Sequence, residues 1–218
     1  MAGTPDDSTQ IGTDLTVIAQ LAAVRITAVE YASVTSRHEG AYATVAASGD
    51  LAVTIDQAQY ADDAGPCLDA LDGGVPAAVP DIAATVTWPG FRDTAGRLGL
   101  TTSLSVPLFA ASGTTIAALN LYGRDPAPMK ALTTAVWAAY DPQAPIPALA
   151  ALDSGARELA TGLIGALTAR DLIQQAIGIM LETTAAGPDD AYRDLCAKAA
   201  KQRKSLTDTA AELIARHQ

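Results

Sequence analysis

A chain of 218 residues with 49% hydrophobic content carries enough apolar material for one large domain, or for a medium domain plus a small one. Its formal charge of −10 argues against a protein that coats nucleic acid over its whole surface, and no apolar run nears the roughly 18–20 residues needed to span a bilayer. The opening MAGTPDDSTQ has no basic n-region, so residues 1–12 read as a disordered leader, and Cys67 and Cys196 read as reduced thiols of a cytoplasmic protein.

In chain order, Ile11 to about Val29 has helical spacing, with Ile11, Leu15, Ile18, Leu21, Ala22, Val24 and Val29 mostly on one side. Ala32–Arg37 and Tyr42–Ala46, joined at Glu39–Gly40, read as a β-hairpin. Leu51–Gln59 and Pro66–Leu71 read as short helices, Val75–Val79 as a strand and Trp88–Leu98 as a helix. Thr101–Phe109 and Thr115–Tyr122 form a second hairpin across Ala111-Ser112-Gly113, and Met129–Tyr140 is a closing helix. A sheet interleaved with small helices makes this an α+β domain over residues 13–140. Three prolines within residues 141–147 exclude a helix interior, so that stretch reads as a linker.

Beyond it, Leu152, Ala156, Leu159, Leu163 and Ala166, then Ile173, Ile177 and Met180, recur in steps of three and four. This spacing predicts a long helix whose first part, residues 148–167, is a coiled-coil connector between two copies of the chain. The alternative is that Leu152–Leu167 folds back on its own domain. Gly187–Pro188 breaks the helix, and two amphipathic helices follow, the last opened by Ser205 with Asp208 in a capping-box arrangement. Charge divides the same way. Met1–Leu167 holds seven Lys/Arg and seventeen Asp/Glu (7 − 17 = −10), while Thr168–Gln218 holds seven of each. Arg193, Lys198, Lys201, Arg203 and Lys204 cluster within that neutral tail, as a polyanion site requires. From charge alone, an ordinary solvated helix face is the commoner explanation.

The run LTARDLIQQAIGIMLE, followed by Ala191-Tyr192, Leu195, Lys204, Leu206, Ala210 and Ile214, resembles the ANTAR domain, a three-helix RNA-binding module of bacterial transcription antiterminators. The family often has Lys where Ile177 stands, so no phosphate contact is expected there. Upstream, Ala32-Ser33-Val34, Gln59-Tyr60, Gly65-Pro66-Cys67-Leu68, Trp88-Pro89, Ser105-Val106-Pro107-Leu108 and Leu119-Asn120-Leu121-Tyr122 resemble the GAF domains that precede ANTAR in actinobacterial regulators. The resemblance implies a GAF-like antiparallel-sheet sensor domain, a coiled-coil connector and a three-helix ANTAR bundle over residues 168–218. Its implied function is signal-responsive antitermination, through binding of RNA hairpin loops in transcript leaders by a homodimer joined at the connector.

On that reading the basic cluster contacts phosphate, with Arg170 and Gln174 joining it, and Tyr192 stacks on an unpaired loop base. Ala176 and Gly178 keep the helix surface flat for a nucleotide, or equally serve helix packing. Tyr60, Cys67, Trp88 and Phe91 are candidates to line a small-molecule pocket whose ligand the sequence does not name. The alternative function is a small-molecule-binding protein or reductase with a helical dimerisation tail, because Cys67 begins a helix, where a thiol pKa can fall. The free methionine sulfoxide reductases, which share the GAF fold and use cysteines, need a resolving partner in the same domain, and only Cys67 lies in this one. No catalytic residue, metal or cofactor is expected, and no membrane partner.

Overall fold

In the computed structural model the described residues are 7–38, 40–141, 149–183 and 187–217, with side chains described from residue 15 onward. Two compact units emerge: residues 1–108 with 115–161, and residues 109–114 with 162–218. The first unit starts with α1 (Asp7–Arg25) and the hairpin β1 (Tyr31–His38) and β2 (Ala41–Ala47). Next come α2 (Asp50–Ala61), α3 (Pro66–Gly73), β3 (Ala77–Val79) and α4 (Pro89–Arg97). The strands β4 (Thr102–Phe109) and β5 (Thr115–Gly123) and the helix α5 (Pro126–Tyr140) complete it. Proline at the first turns of α3, α4 and α5 suits positions whose amide hydrogens have no helical acceptor, and Asp125 caps α5 by accepting from the Ala127 amide.

The five strands form one sheet in the order β2-β1-β5-β4-β3, with antiparallel pairing of β1 to both β2 and β5. Period-2 alternation sends Ser33 and Thr35 of β1 toward α2, and Ala32 and Val34 to the opposite face. Ala32, Val34, Leu119 and Leu121 are fully buried there, where α1 packs on β1, β2 and β5. Burial is continuous along most of β4 and β5, which are covered on both faces, whereas the edge strand β2 keeps an alternating exposed pattern. Between α2, α4 and the sheet lies a core of Ala52, Ile55, Val79, Ile82, Phe91, Ala95, Leu100 and Tyr122.

Two expectations are corrected in this unit. The first helix starts at Asp7, within the stretch read as a leader, and its buried side is Ala19, Ala22 and the following Ile26. Ile18, Leu21 and Val24 point outward, with Val24 82% exposed. Small alanines let the helix lie close on the sheet, and the bulkier residues are left on the far side. The second correction concerns the connector. It begins with a 3-10 turn (Leu149–Ala151) and continues as α6 (Ser154–Thr183); Leu152, between the two, and Ala156 and Ala160 of α6 are buried within a single chain. The Asp153 carboxylate accepts from the Thr27 amide at 2.8 Å and from the Ala156 amide at 2.8 Å. Arg25 pairs with Glu158 at 2.8 Å. A Cβ on Gly155 would stand 2.2 Å from the Arg25 carbonyl, so only glycine allows this close crossing. Leu152 and Ala156 of the expected stripe, with Ala160, are therefore turned onto the chain's own domain, whereas Leu159 is half-buried and Ala166 exposed. The linker expected over residues 141–147 lies, apart from Asp141, outside the described residues.

The second unit holds the later part of α6, then α7 (Pro188–Gln202) and α8 (Leu206–Ala215), around Ile173, Ala176, Ile177, Ala191, Leu195, Ala210 and Leu213. Ser205 caps α8 by accepting from the Asp208 amide at 3.0 Å, and Asp189 and Asp190 occupy the first turn of α7, where the helix dipole favours them.

Candidate functional site

The three helices of the second unit separate the expected RNA-contacting residues into three groups. Ala176 is fully buried in the helical core, so it serves packing and presents no surface to a nucleotide. The registers of Ile173 and Ile177 place it there. Gly178 is exposed, and a Cβ at that position would meet nothing within 4 Å, so the helix surface there is open. Tyr192 is half-buried and packs against the core, leaving only part of its ring for stacking.

A second group is already engaged. The Arg170 guanidinium carbon lies 4.1 Å from the centre of the Phe109 ring, and its Nε is buried with no hydrogen-bond partner. The Gln174 side chain donates to the Ser112 carbonyl at 2.6 Å. Arg193 is paired with Asp190 at 2.6 Å, and Lys204 with Glu212. All four of these ion-pair partners are substantially exposed, and pairs of that kind are worth no more than about 1 kcal/mol and are screened by salt.

The third group is Lys198, Lys201 and Arg203, which form no ion pair among the described residues. They lie at the C-terminal end of α7, where cations also complement the helix dipole. Arg203 caps that helix in the left-handed conformation, φ +54°, with its amide donating to the carbonyls of Ala199 and Ala200. Glycine is the usual residue there, because a Cβ in this conformation costs about 1 kcal/mol. Arg203 thus stands exposed at a position whose backbone favours glycine. Arg203→Gly is expected to raise the melting temperature slightly while weakening RNA binding about tenfold. Parallel melting and gel-shift titrations check this, and unchanged affinity would remove Arg203 from the interface.

In the first unit, the face of the sheet beneath α2 and α3 carries a buried polar cluster. The Asp56 carboxylate, on α2, accepts from Ser33 Oγ at 3.0 Å, Tyr122 Oη at 2.6 Å, Thr44 Oγ1 at 2.8 Å and Asn120 Nδ2 at 3.4 Å. Burial pushes its pKa up to about 6, against the lowering pull of those hydrogen bonds, and Asp56 forms no ion pair among the described residues. Asn120 Nδ2 also donates to Thr35 at 2.9 Å and to Ser33 at 3.2 Å. Gln59 donates to Tyr122 Oη and accepts from the Cys67 amide at 2.9 Å. The tight Gly-Pro-Cys turn is needed for this, since a Cβ on Gly65 would stand 2.2 Å from Gln59 Oε1.

Of the four pocket candidates, Tyr60 reaches this cluster through hydrogen bonds between its hydroxyl and Thr35 and Thr44. Phe91 is core, and Trp88 is half-buried against the same core. Cys67 is fully buried, and burial, with the nearby Asp56 charge, raises its thiol pKa, the reverse of what a nucleophile needs. Sequence reasoning missed Asp56, Thr35, Thr44, Ser103, Asn120 and Tyr122 as a group. The available signal was the recurrence of polar residues two apart, Ser33-x-Thr35 and Ser103-x-Ser105, in strands buried on both faces.

A sheet domain with a covered polar site, followed by a separate helical unit with a cationic end, has the build of a two-part regulator. Residues 13–136 match the GAF domain family and residues 161–214 match the ANTAR domain family. The chain therefore belongs to the GAF-domain family, in the form of a GAF–ANTAR regulator. Among solved structures it is similar to a type II free methionine-R-sulfoxide reductase from Thermoplasma acidophilum, at 12% identity and a TM-score of 0.43, covering 73% of this chain and 95% of that one. It is also similar to a GAF domain/HD domain protein from Geobacter sulfurreducens, at 13% identity and a TM-score of 0.40, covering 76% and 95%. A third is NreA from Staphylococcus aureus, mutated in its nitrate binding site, at 13% identity and a TM-score of 0.39, covering 56% and 88%. At these identities and scores the likenesses carry no functional argument. No curated protein sequence gives a significant match. Among the described residues, no helix is long and apolar enough to cross a membrane.

Proposed function

We propose that the chain is a cytoplasmic, signal-responsive transcription antiterminator whose ANTAR unit binds RNA hairpin loops in transcript leaders while its GAF unit senses a small molecule. The observation carrying this reading is the ANTAR match over residues 161–214 together with the exposed Lys201 and Arg203 within it, which form no ion pair among the described residues. Lys198, Arg193 and Lys204 extend that set, the last two by exchanging a carboxylate for phosphate. Gly178 offers an open surface, and the exposed part of Tyr192 a partial stacking platform. Arg170 and Gln174 join only when released from Phe109 and Ser112. Unstacked loop bases suit such a surface better than an A-form duplex, whose base edges are hard to reach.

Action as a homodimer belongs to the same reading, because two linked tails raise the effective concentration of the second contact. With Leu152, Ala156 and Ala160 turned inward, the outward Val17, Leu21 and Val24 of α1 are the better seam for a second copy, being spaced by four and three residues. A reductase has nothing comparable in its favour, since the Cys67 thiol is buried with its pKa raised. Titration of the full chain with folded stem-loops, followed by sedimentation, tests the proposal. It is expected to show two chains and two hairpins per complex, with affinity that falls steeply with salt. Absence of a complex at low ionic strength would sink it.

A further inference from the structure

Three buried oxygens in the first unit have no hydrogen-bond partner among the described residues: Ser103 Oγ, Ser105 Oγ and Asn120 Oδ1. Their residues are 1% exposed or less, a burial at which such atoms ordinarily find a partner. They share one face of the sheet. Ser105 lies opposite Ala77 and Ser103 opposite Val79, and both partners belong to clusters on the side covered by α2–α4. Asn120, between Ala118 and Tyr122 of those same clusters, points the same way. Its amide nitrogen is held by Ser33 and Thr35 of β1, which turns the amide oxygen away from β1, toward the neighbouring β4 and its two serines. Residues two apart on a strand are roughly 6.7 Å apart. A nitrogen hydrogen-bonded to each hydroxyl at about 2.9 Å spans at most about 5.8 Å, so it bridges the pair when the two side chains lean together by about 1 Å.

We infer that Ser103, Ser105 and Asn120, beside Asp56, form the binding site for a small primary ammonium cation. Three acceptors await, and an R–NH3+ group brings three donors. Its charge complements a buried carboxylate that, among the described residues, is hydrogen-bonded only by neutral groups. Asn120 links the two, donating to Asp56 from one end of its amide and accepting from the ligand at the other. An anion would meet the Asn120 carbonyl oxygen and the Asp56 charge, both repulsive. Complete burial under α2–α4 restricts R to a few atoms.

This inference rests on reading the first unit as the sensor of the proposed regulator, and it is tested apart from RNA binding. Thermal melting of the full chain in methylammonium chloride is compared with sodium chloride and tetramethylammonium chloride at equal ionic strength. Methylammonium alone is expected to raise the melting temperature, by roughly 5 °C at a hundredfold excess over Kd. Asp56→Asn, and separately Ser103→Ala with Ser105→Ala, are expected to abolish that shift. Equal melting in the three salts overturns the site, as does an equal shift with acetamide, or a methylammonium shift that survives in both variants. Stem-loop titration in the same buffers reads the other proposal. RNA binding without a methylammonium shift overturns the ammonium site and leaves the regulator standing. A shift without RNA binding supports the site and overturns the regulator.

Discussion

Replacing Lys201, Arg203 and Lys204 together with alanine is expected to weaken stem-loop binding on the order of 100-fold at low salt, and to lower the log–log salt slope by about two to three. The physical basis is counterion release. Each cation that meets a phosphate frees condensed ions, so three lost contacts flatten the salt dependence as well as the affinity. The fold is expected to survive. Lys201 and Arg203 hold no ion pair among the described residues, and the exposed Lys204–Glu212 pair contributes at most about 1 kcal/mol. Circular dichroism should stay helical with a near-unchanged melting point. If affinity and slope both match the parent chain, RNA does not use the end of α7.

Asp56→Asn is expected to stabilise the ligand-free protein at pH 7.5 by about 2 kcal/mol, or roughly 4–8 °C in melting temperature. The sign follows from burial. With a folded pKa of about 6 against a model-compound value of 3.8, the native state holds the proton more tightly than the unfolded chain does. Stability therefore falls as pH rises from about 4 to 6, and above that window the full cost of burying the charge remains. Asparagine keeps the acceptor for Tyr122 and removes the charge, while Thr44 can reverse its hydroxyl to accept from the new amide. The gain over wild type should shrink as pH drops from 6.5 to 4 and persist unchanged from 7 to 8. A variant less stable than wild type at pH 7.5 would show that the hydrogen bonds to Asp56 outweigh its desolvation.

The elements that the sequence displayed best were those whose local chemistry agrees with their burial. The strand Leu119–Tyr122, the Pro66 helix start and the Ser205 cap are of that kind, and the family resemblance rests on several of them. Ala176 was readable too, since it shares the buried face of Ile173 and Ile177, but a small side chain suits a contact surface and a core equally well. The direction of the connector stripe was not readable. Steps of three and four residues serve a partner helix or the chain's own domain alike, and Gly155 decides between them through a backbone approach with no signature in periodicity. The Asp56 cluster was hidden for a different reason. An aspartate on an amphipathic helix is ordinarily solvated, and its partners are dispersed from Ser33 to Tyr122. The left-handed Arg203 departs from the residue preference for its own position, so propensity could not reveal it.

The carboxylates of Asp190 and Glu212 occupy two of the five cations clustered in the tail before any nucleic acid arrives. Phosphate must displace them, so each of those two contacts begins by breaking an ion pair. A mononucleotide gains little from the exchange, whereas a folded strand offering several phosphates at once gains from every site together. In the proposed regulator, these weak acidic partners would favour a polymer with several phosphates over a single nucleotide.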